Sequence, residues 1–488
     1  MPTWPRLLRR LFIRNARAET SRVIVGSTGS GKSEGELIDL VRLAERRDCA
    51  VVLLDGHGPL AVAAVGHWAL KGHERRVVYE PLDATDRVLA WDMLPPSRAA
   101  DRSRRLLEDG ETTEEVAQCF LAQRNLSSVN DKPYTKEWLD AAIALCLSQP
   151  RSEPLPSLLH AFRVESAGYE RLLRECRQPD VTAKFRSLER IRRRNPVQYE
   201  IMTGASRRLV ELTCGSEIVR LRARPGPFDW LQAIQERRLI AFDGGGIRSR
   251  ELKRTVFLLA SLQVIQAVRR HFSETKRPLP VVLVLEEAGA LGLVTPFVLA
   301  ALQELRKAGL SIHVLTQSCL DFGDPSLFQS VLANTGWQCW YQILSPADQE
   351  LGAKVLTNAA FDSHAVQFTR ARMVAKREPL TAPWHARMRE VIDPYFKSPS
   401  LQEQEFRTRL ATLRVGERLV RDRRSVRPER VRMLRPAPVP GGFEAFTREV
   451  IERVRAQPIY VPPPPAESAP PAPPRADAAA RLRDASGE

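Results

Sequence analysis

Residues 26–33 read "GSTGSGKS": Gly26, four residues, then Gly31, Lys32 and Ser33. A short β-branched run, "RVIV", comes before them, and an amphipathic stretch, "EGELIDLVRLAERR", follows. Strand, glycine-rich turn and helix in that order let successive backbone N–H groups wrap a phosphate, while the helix N-terminus adds partial positive charge. Glycine suits such a loop because a Cβ would block the close approach or the φ > 0 angles it needs. The spacing therefore assigns Gly26, Ser27, Thr28, Gly29, Ser30 and Gly31 to a phosphate cradle. Lys32 would reach the β- and γ-phosphates of ATP, and the Ser33 hydroxyl would ligate Mg²⁺.

Outward from this loop, short apolar runs alternate with helical patterns: "CAVVLLDGHG" (49–58), "RRVVYEPLD" (75–83), "RRLIAFDGGG" (237–246), "LPVVLVLEEAG" (279–289) and "SIHVLTQS" (311–318). Near-continuous Val/Ile/Leu strands separated by helices mark a mainly parallel sheet covered on both faces, so the expected fold class is α/β. Residues 98–235 carry helical patterns such as "EEVAQCFLAQ" and "EWLDAAIALCLSQ" and no convincing strand, which predicts an inserted all-α domain. The expected order is a basic amphipathic arm (1–20), a first part of the sheet domain (21–97), the insert (98–235), and a second part (236–400). A strand pair with a basic extension (401–460) and a Pro/Ala-rich tail (461–488) complete it. That tail is too poor in apolar surface to offset ordering entropy, and disorder is expected there.

A loop that holds ATP for hydrolysis needs a carboxylate at a neighbouring strand end for the metal, and a second one to activate water. "VVLVLEEAGAL" supplies both: Glu286 on the metal side and Glu287 as general base. The alternative is that two acids merely begin a helix, where they suit its dipole. Gln317, at the end of "HVLTQS", can hydrogen-bond the attacking water or the γ-phosphate, or it can be a surface amide capping the next segment. Asp55 and Asp243 also close apolar runs. His57 reads as a turn residue, since no second His or Cys lies near it.

The 488 residues are 43% hydrophobic, enough for a real core, and carry a formal charge of +16 from 74 Lys plus Arg against 58 Asp plus Glu. Such an excess favours polyanionic partners, DNA first. No apolar run approaches the roughly 18–20 residues that cross a bilayer, and no signal peptide is recognisable, so a cytoplasmic protein without membrane insertion is expected. Seven scattered cysteines fit neither a disulfide framework nor a metal site.

From about residue 21 to 435 the chain resembles the HerA/FtsK superfamily of ring-forming DNA-pumping ATPases, and within it the coupling ATPases of bacterial conjugation. The resemblance rests on "VGSTGSGKS", "VVLLDGHGPLA", "VLVLEEAGAL", "HVLTQS", "NTGWQCWYQILSPADQELGAKVL" and the late "LRVGERLVRDRRSVRPERVRML". It implies a RecA-like P-loop NTPase that assembles as a hexamer and moves DNA through its centre. The insert falls where coupling proteins carry their all-α domain. Two departures stand out: the family's transmembrane helices are absent, and Tyr341 and Gln342 stand where relatives often have an arginine. Arg248, Arg250, Arg370 and Arg372 are substitutes for a trans-acting arginine by composition only. Two other functions fit the same motifs: a ring that uses ATP as a switch to recruit a partner nuclease, and a secretion ATPase acting on protein.

Overall fold

The computed structural model describes residues 20–46, 48–94, 101–121, 133–164, 166–375, 388–422, 426–431, 434, 436 and 438–463. The N-terminal arm and most of the Pro/Ala-rich tail lie outside them.

Among the described residues nine strands form the central sheet: β1 (Arg22–Val25), β2 (Ala50–Asp55), β3 (Val77–Pro81), β5 (Leu239–Asp243), β6 (Val281–Leu285), β7 (Leu310–Thr316), β8 (Trp337–Trp340), β11 (Glu417–Arg421) and β12 (Val426–Arg430). Their order is β12-β11-β8-β1-β7-β6-β2-β5-β3. The seven strands from β8 to β3 are parallel, and β11 and β12 close one edge antiparallel. The apolar runs explain this arrangement: β1, β2, β6 and β7 are buried along their whole length, as a sheet layered with helices on both faces requires. Parallel strands all point the same way, so the residues that follow β1, β2, β5, β6 and β7 gather at one edge.

Between β4 (Val88–Leu89) and β5 the described chain is all helical, with Arg102–Leu121, Pro133–Leu147, Pro179–Arg194 and Pro196–Cys214 the longest pieces. Trp138 packs edge-on to Phe185, which in turn meets Tyr169, and these rings belong to a hydrophobic core continuous with that of the sheet. A buried ion pair ties this unit to the sheet. Arg222 Nε donates to Glu80 Oε1 at 2.5 Å, and its Nη2 to the carbonyls of Pro81 and Ala84 at 2.8 and 3.1 Å.

Two features go beyond the sequence reading. Residues 345–413 leave the sheet as a helix (Pro346–Ala360), a hairpin of β9 (Val366–Ala375) and β10 (Met388–Phe396), and a returning helix (Pro399–Thr412). The chain then ends its described part on the sheet domain. The helix Phe443–Arg455 lies on the helix Pro59–Leu70 at Gly66, where a Cβ would stand 2.3 Å from Thr447 Oγ1. Beyond it β13 (Tyr460–Val461) pairs with β4, so the expected start of the disordered tail at 461 falls inside a strand.

Candidate nucleotide site

The loop read from the sequence leaves β1 at its C-terminal end and runs into the helix Lys32–Arg46. Gly29 and Gly31 adopt φ of +76° and +95°, the left-handed region that glycine enters without penalty. Gly26 is required for a different reason: its Cβ would lie 2.6 Å from that of Tyr341. Ser27 N donates to Gln342 O at 2.8 Å, and Gly26 N to Thr316 O at 3.3 Å, so the strands on either side of β1 hold the loop open. The first N–H groups of a helix have no acceptor within it, and here Gly35 N turns back to Gly31 O of the loop at 3.0 Å.

Glu286 and Glu287 follow β6, two strands from β1, and Gln317 follows the strand between, β7. Three contacts join these positions. Ser33 Oγ donates to Glu286 Oε1 at 3.1 Å. Gln317 Nε2 donates to Glu287 Oε1 at 2.6 Å, while its Oε1 accepts from Thr28 Oγ1 at 2.5 Å. Gln317 is thus a bridge from the glycine loop to the second glutamate. Glu287 stands at the start of the short helix Ala288–Leu291 with a φ of +54°, strained for a residue with a Cβ, and its side chain turns to Gln317 without capping that helix. Lys32, 8% exposed, rests its Nζ 3.3 Å from Ser27 O. Burial pulls the Lys32 ammonium below its ordinary pKa, and the charges of Glu287 and Glu286 oppose that fall.

The residues fit a divalent cation. Glu286 Oε2 is buried and accepts no hydrogen bond, beside a serine hydroxyl that the same carboxylate already holds. Burial, with the neighbouring Asp55 and Glu287 carboxylates, pushes the Glu286 pKa up to about 9, and the Ser33 hydrogen bond works the other way. A cation between Ser33 and Glu286 would remove that electrostatic frustration.

Asp55 and Asp243 sit at the same edge in different roles. Asp55, fully buried, caps the turn that follows it, accepting from His57 N and Ala61 N, both at 2.9 Å. Asp243 accepts from Tyr79 Oη at 2.5 Å and Gly245 N at 2.7 Å. The His57 ring stands 3.6 Å from Glu287 on the wall of a cleft of about 360 Å³ that also reaches Lys253, Arg250 and Gln317. Arg250 therefore shares a cleft with Gln317, Arg248 is exposed nearby in sequence, and Arg370 and Arg372 lie on β9. Lys253 Nζ donates to Gly56 O at 2.8 Å, a contact that no sequence motif announced. Where relatives often carry an arginine, Tyr341 Oη accepts from Arg418 Nη1 at 3.2 Å, and Glu429 takes the other arm of that guanidinium. Among the described residues, no cluster of three His, Cys, Asp or Glu could hold a transition metal.

No family model matches the chain, and no curated protein matches its sequence. Solved structures do. The trigonal form of the bacterial conjugative coupling protein TrwBΔN70 with sulphate gives a TM-score of 0.54 over 92% of this chain and 90% of that one, at 15% identity. Plasmid coupling protein TrwB in complex with ADP and Mg²⁺ gives 0.51 over 92% and 89%, also at 15%. The fold is that of a RecA-like P-loop NTPase. The mostly parallel sheet layered with helices belongs to that fold, and the neighbours are coupling proteins, the type that the motifs resemble. Among the described residues, no helix is long and apolar enough to cross a membrane.

Proposed function

We propose that this chain is an ATPase that binds ATP with Mg²⁺ at residues 26–33 and uses hydrolysis to move DNA. One observation carries the proposal. Gln317 joins Thr28 of the phosphate loop to Glu287, which supports reading the amide as a sensor and the carboxylate as a base, with Lys32 for phosphate and Ser33 for metal. In that arrangement Lys32 holds the β- and γ-phosphates, and Ser33 with Glu286 holds the cation, which would neutralise charge developing on the phosphates. Glu287 takes the proton of the attacking water, and Gln317 registers the loss of the γ-phosphate. The solved TrwB complex with ADP and Mg²⁺ supports an adenine nucleotide with Mg²⁺ on the same fold.

Nucleotide chemistry leaves the moved object open, and three supports favour DNA. The net charge is +16, the fold is shared with coupling proteins of conjugation, and the family that the motifs resemble works as a hexameric ring on DNA. Contacts of Lys and Arg with phosphates would position the polymer without reading its sequence.

Two substitutions test the chemistry. Lys32→Ala removes the cation that meets the phosphates and should abolish tight ATP binding. Glu287→Gln keeps the shape and cannot accept a proton, so ATP should bind while turnover falls by about two orders of magnitude or more. Wild-type affinity and turnover in both variants would contradict the assignment.

A further inference from the structure

The segment 345–413 is rooted in the phosphate loop at both ends. On one side Ser27 N donates to Gln342 O, and Leu344 N to Ser27 Oγ at 2.9 Å; on the other, Gly416 N donates to Ser30 O at 3.1 Å. Asp348, 1% exposed in the first turn of the outgoing helix, accepts Ser318 Oγ at 2.7 Å and Cys319 N at 2.9 Å. Those are the two residues after Gln317. The two helices, each about 21–22 Å long at 1.5 Å per residue, run antiparallel. They pack closely where Gly352 meets Leu410 and Trp340, each 3.0 Å from where its Cβ would be. At the far end Gln402 accepts Asp362 N at 3.1 Å and donates to Asp362 O at 2.8 Å, and Lys397 N donates to Ala365 O at 2.8 Å. A continuous bonded path thus runs from the phosphate loop to the base of the β9–β10 hairpin.

Among the described strands the hairpin joins no other, and a lone pair of strands is marginal in water. It nevertheless exposes aromatic surface. Phe368 and Tyr395, opposite each other, stack with centroids 4.5 Å apart and remain 51% and 43% exposed, next to Phe396 at 50%. Arg370 and Arg372 follow Phe368 at steps of two and so share its face, where Arg372 pairs with Asp393 at 2.6 Å. Residues 365–397 carry seven Lys and Arg against three Asp and Glu.

We infer that the β9–β10 hairpin grips single-stranded nucleic acid, with Phe368 and Tyr395 as a stacking platform and Arg370 and Arg372 on the phosphates. The inference rests on the DNA reading above and deepens it. Aromatic faces interleaved with arginine suit unpaired bases, whose rings a duplex hides. A second copy would oppose one basic hairpin with another, which like charge disfavours. The rooting of the arm supplies the mechanical link a motor needs between its phosphate loop and its grip.

The test is fluorescence anisotropy of full-length protein with a labelled oligo-dT of about 20 nucleotides and with a duplex of equal length. Phe368→Ala/Tyr395→Ala should weaken oligo-dT binding at least about fivefold and duplex binding less, because stacking is lost. Arg370→Ala/Arg372→Ala should make the salt dependence of log K shallower by about 1.4. Wild-type binding of oligo-dT that neither variant changes would overturn the hairpin assignment and leave the DNA reading standing. Wild-type protein that binds neither probe would overturn both. A smaller oligomer on sedimentation of the aromatic variant, with oligo-dT affinity intact, would make the hairpin a contact between copies and also overturn the inference.

Discussion

At the residue scale the least expected feature is Glu286. The sequence marks it as a metal ligand by its place after an apolar run, and nothing in that run says how its side chain is surrounded. In the fold it lies against Asp55 and Glu287, with burial as the largest cause of a pKa near 9 against an ordinary 4.5. The sign of the consequence is unusual for a carboxylate. Between those two values the folded protein keeps a proton that the unfolded chain has released, so stability falls as pH rises. Glu286→Gln removes the titration. In metal- and nucleotide-free protein, the melting temperature of this variant should gain on wild type steadily from pH 5 to pH 9. A gap that stays constant over that range would show that Glu286 is ionised throughout. The strain at Glu287 was illegible for a related reason: a left-handed glutamate has no signature in a sequence, since only the surrounding contacts decide its φ.

At the element scale the phosphate-loop helix is fitted to Tyr341, the residue after β8, by a single absent methyl group. A Cβ on Gly35 would stand 1.9 Å from Tyr341 Oη and 3.1 Å from its Cζ. Gly35→Ala should therefore destabilise the protein by about 1–3 kcal/mol in chemical denaturation, the usual cost of overpacking. Tyr341→Phe removes the clashing oxygen at the loss of the Arg418 hydrogen bond. The double variant should be more stable than Gly35→Ala alone, and strict additivity of the two costs would contradict the packing account. Strands such as β2, β6 and β7 could be read directly, because burial on both faces writes itself as an unbroken apolar run. The β9–β10 hairpin could not. Its sequence mixes arginine with apolar residues, and Val366, Phe368, Ile392, Tyr395 and Phe396 are all exposed, so neither a buried-strand pattern nor a clean half-buried one appears.

At the scale of the whole molecule the glycine loop, the paired glutamates and Gln317 were legible because each closes a recognisable apolar run, and a parallel sheet gathers such ends at one edge. The C-terminal docking was not: the helix Phe443–Arg455 buries Val450 and Val454, and a single ring fastens the chain beyond it. Tyr460, 2% exposed, accepts Tyr79 N and donates to Tyr79 O, both at 2.7 Å. A chain ending at residue 463 should melt with the full chain, as the Pro/Ala composition beyond it contributes no core. A chain ending at 456 loses that ring and should be less stable by about 3 kcal/mol or more, read from the denaturation midpoint. Equal stability of the two truncations would contradict the anchoring role of Tyr460.

The central claim, hydrolysis coupled to DNA, is tested most directly by ATP turnover with and without plasmid DNA across a salt series, with Glu287→Gln as the inactive control. Neutralising phosphates releases condensed counterions, so with about six such contacts DNA affinity should drop by roughly three orders of magnitude between 50 and 200 mM salt. The account predicts a rate that rises on adding DNA at low salt and loses that stimulation over the same interval. A rate indifferent to DNA at every salt concentration, from protein shown to be oligomeric, would contradict it and favour a nucleotide-switched scaffold.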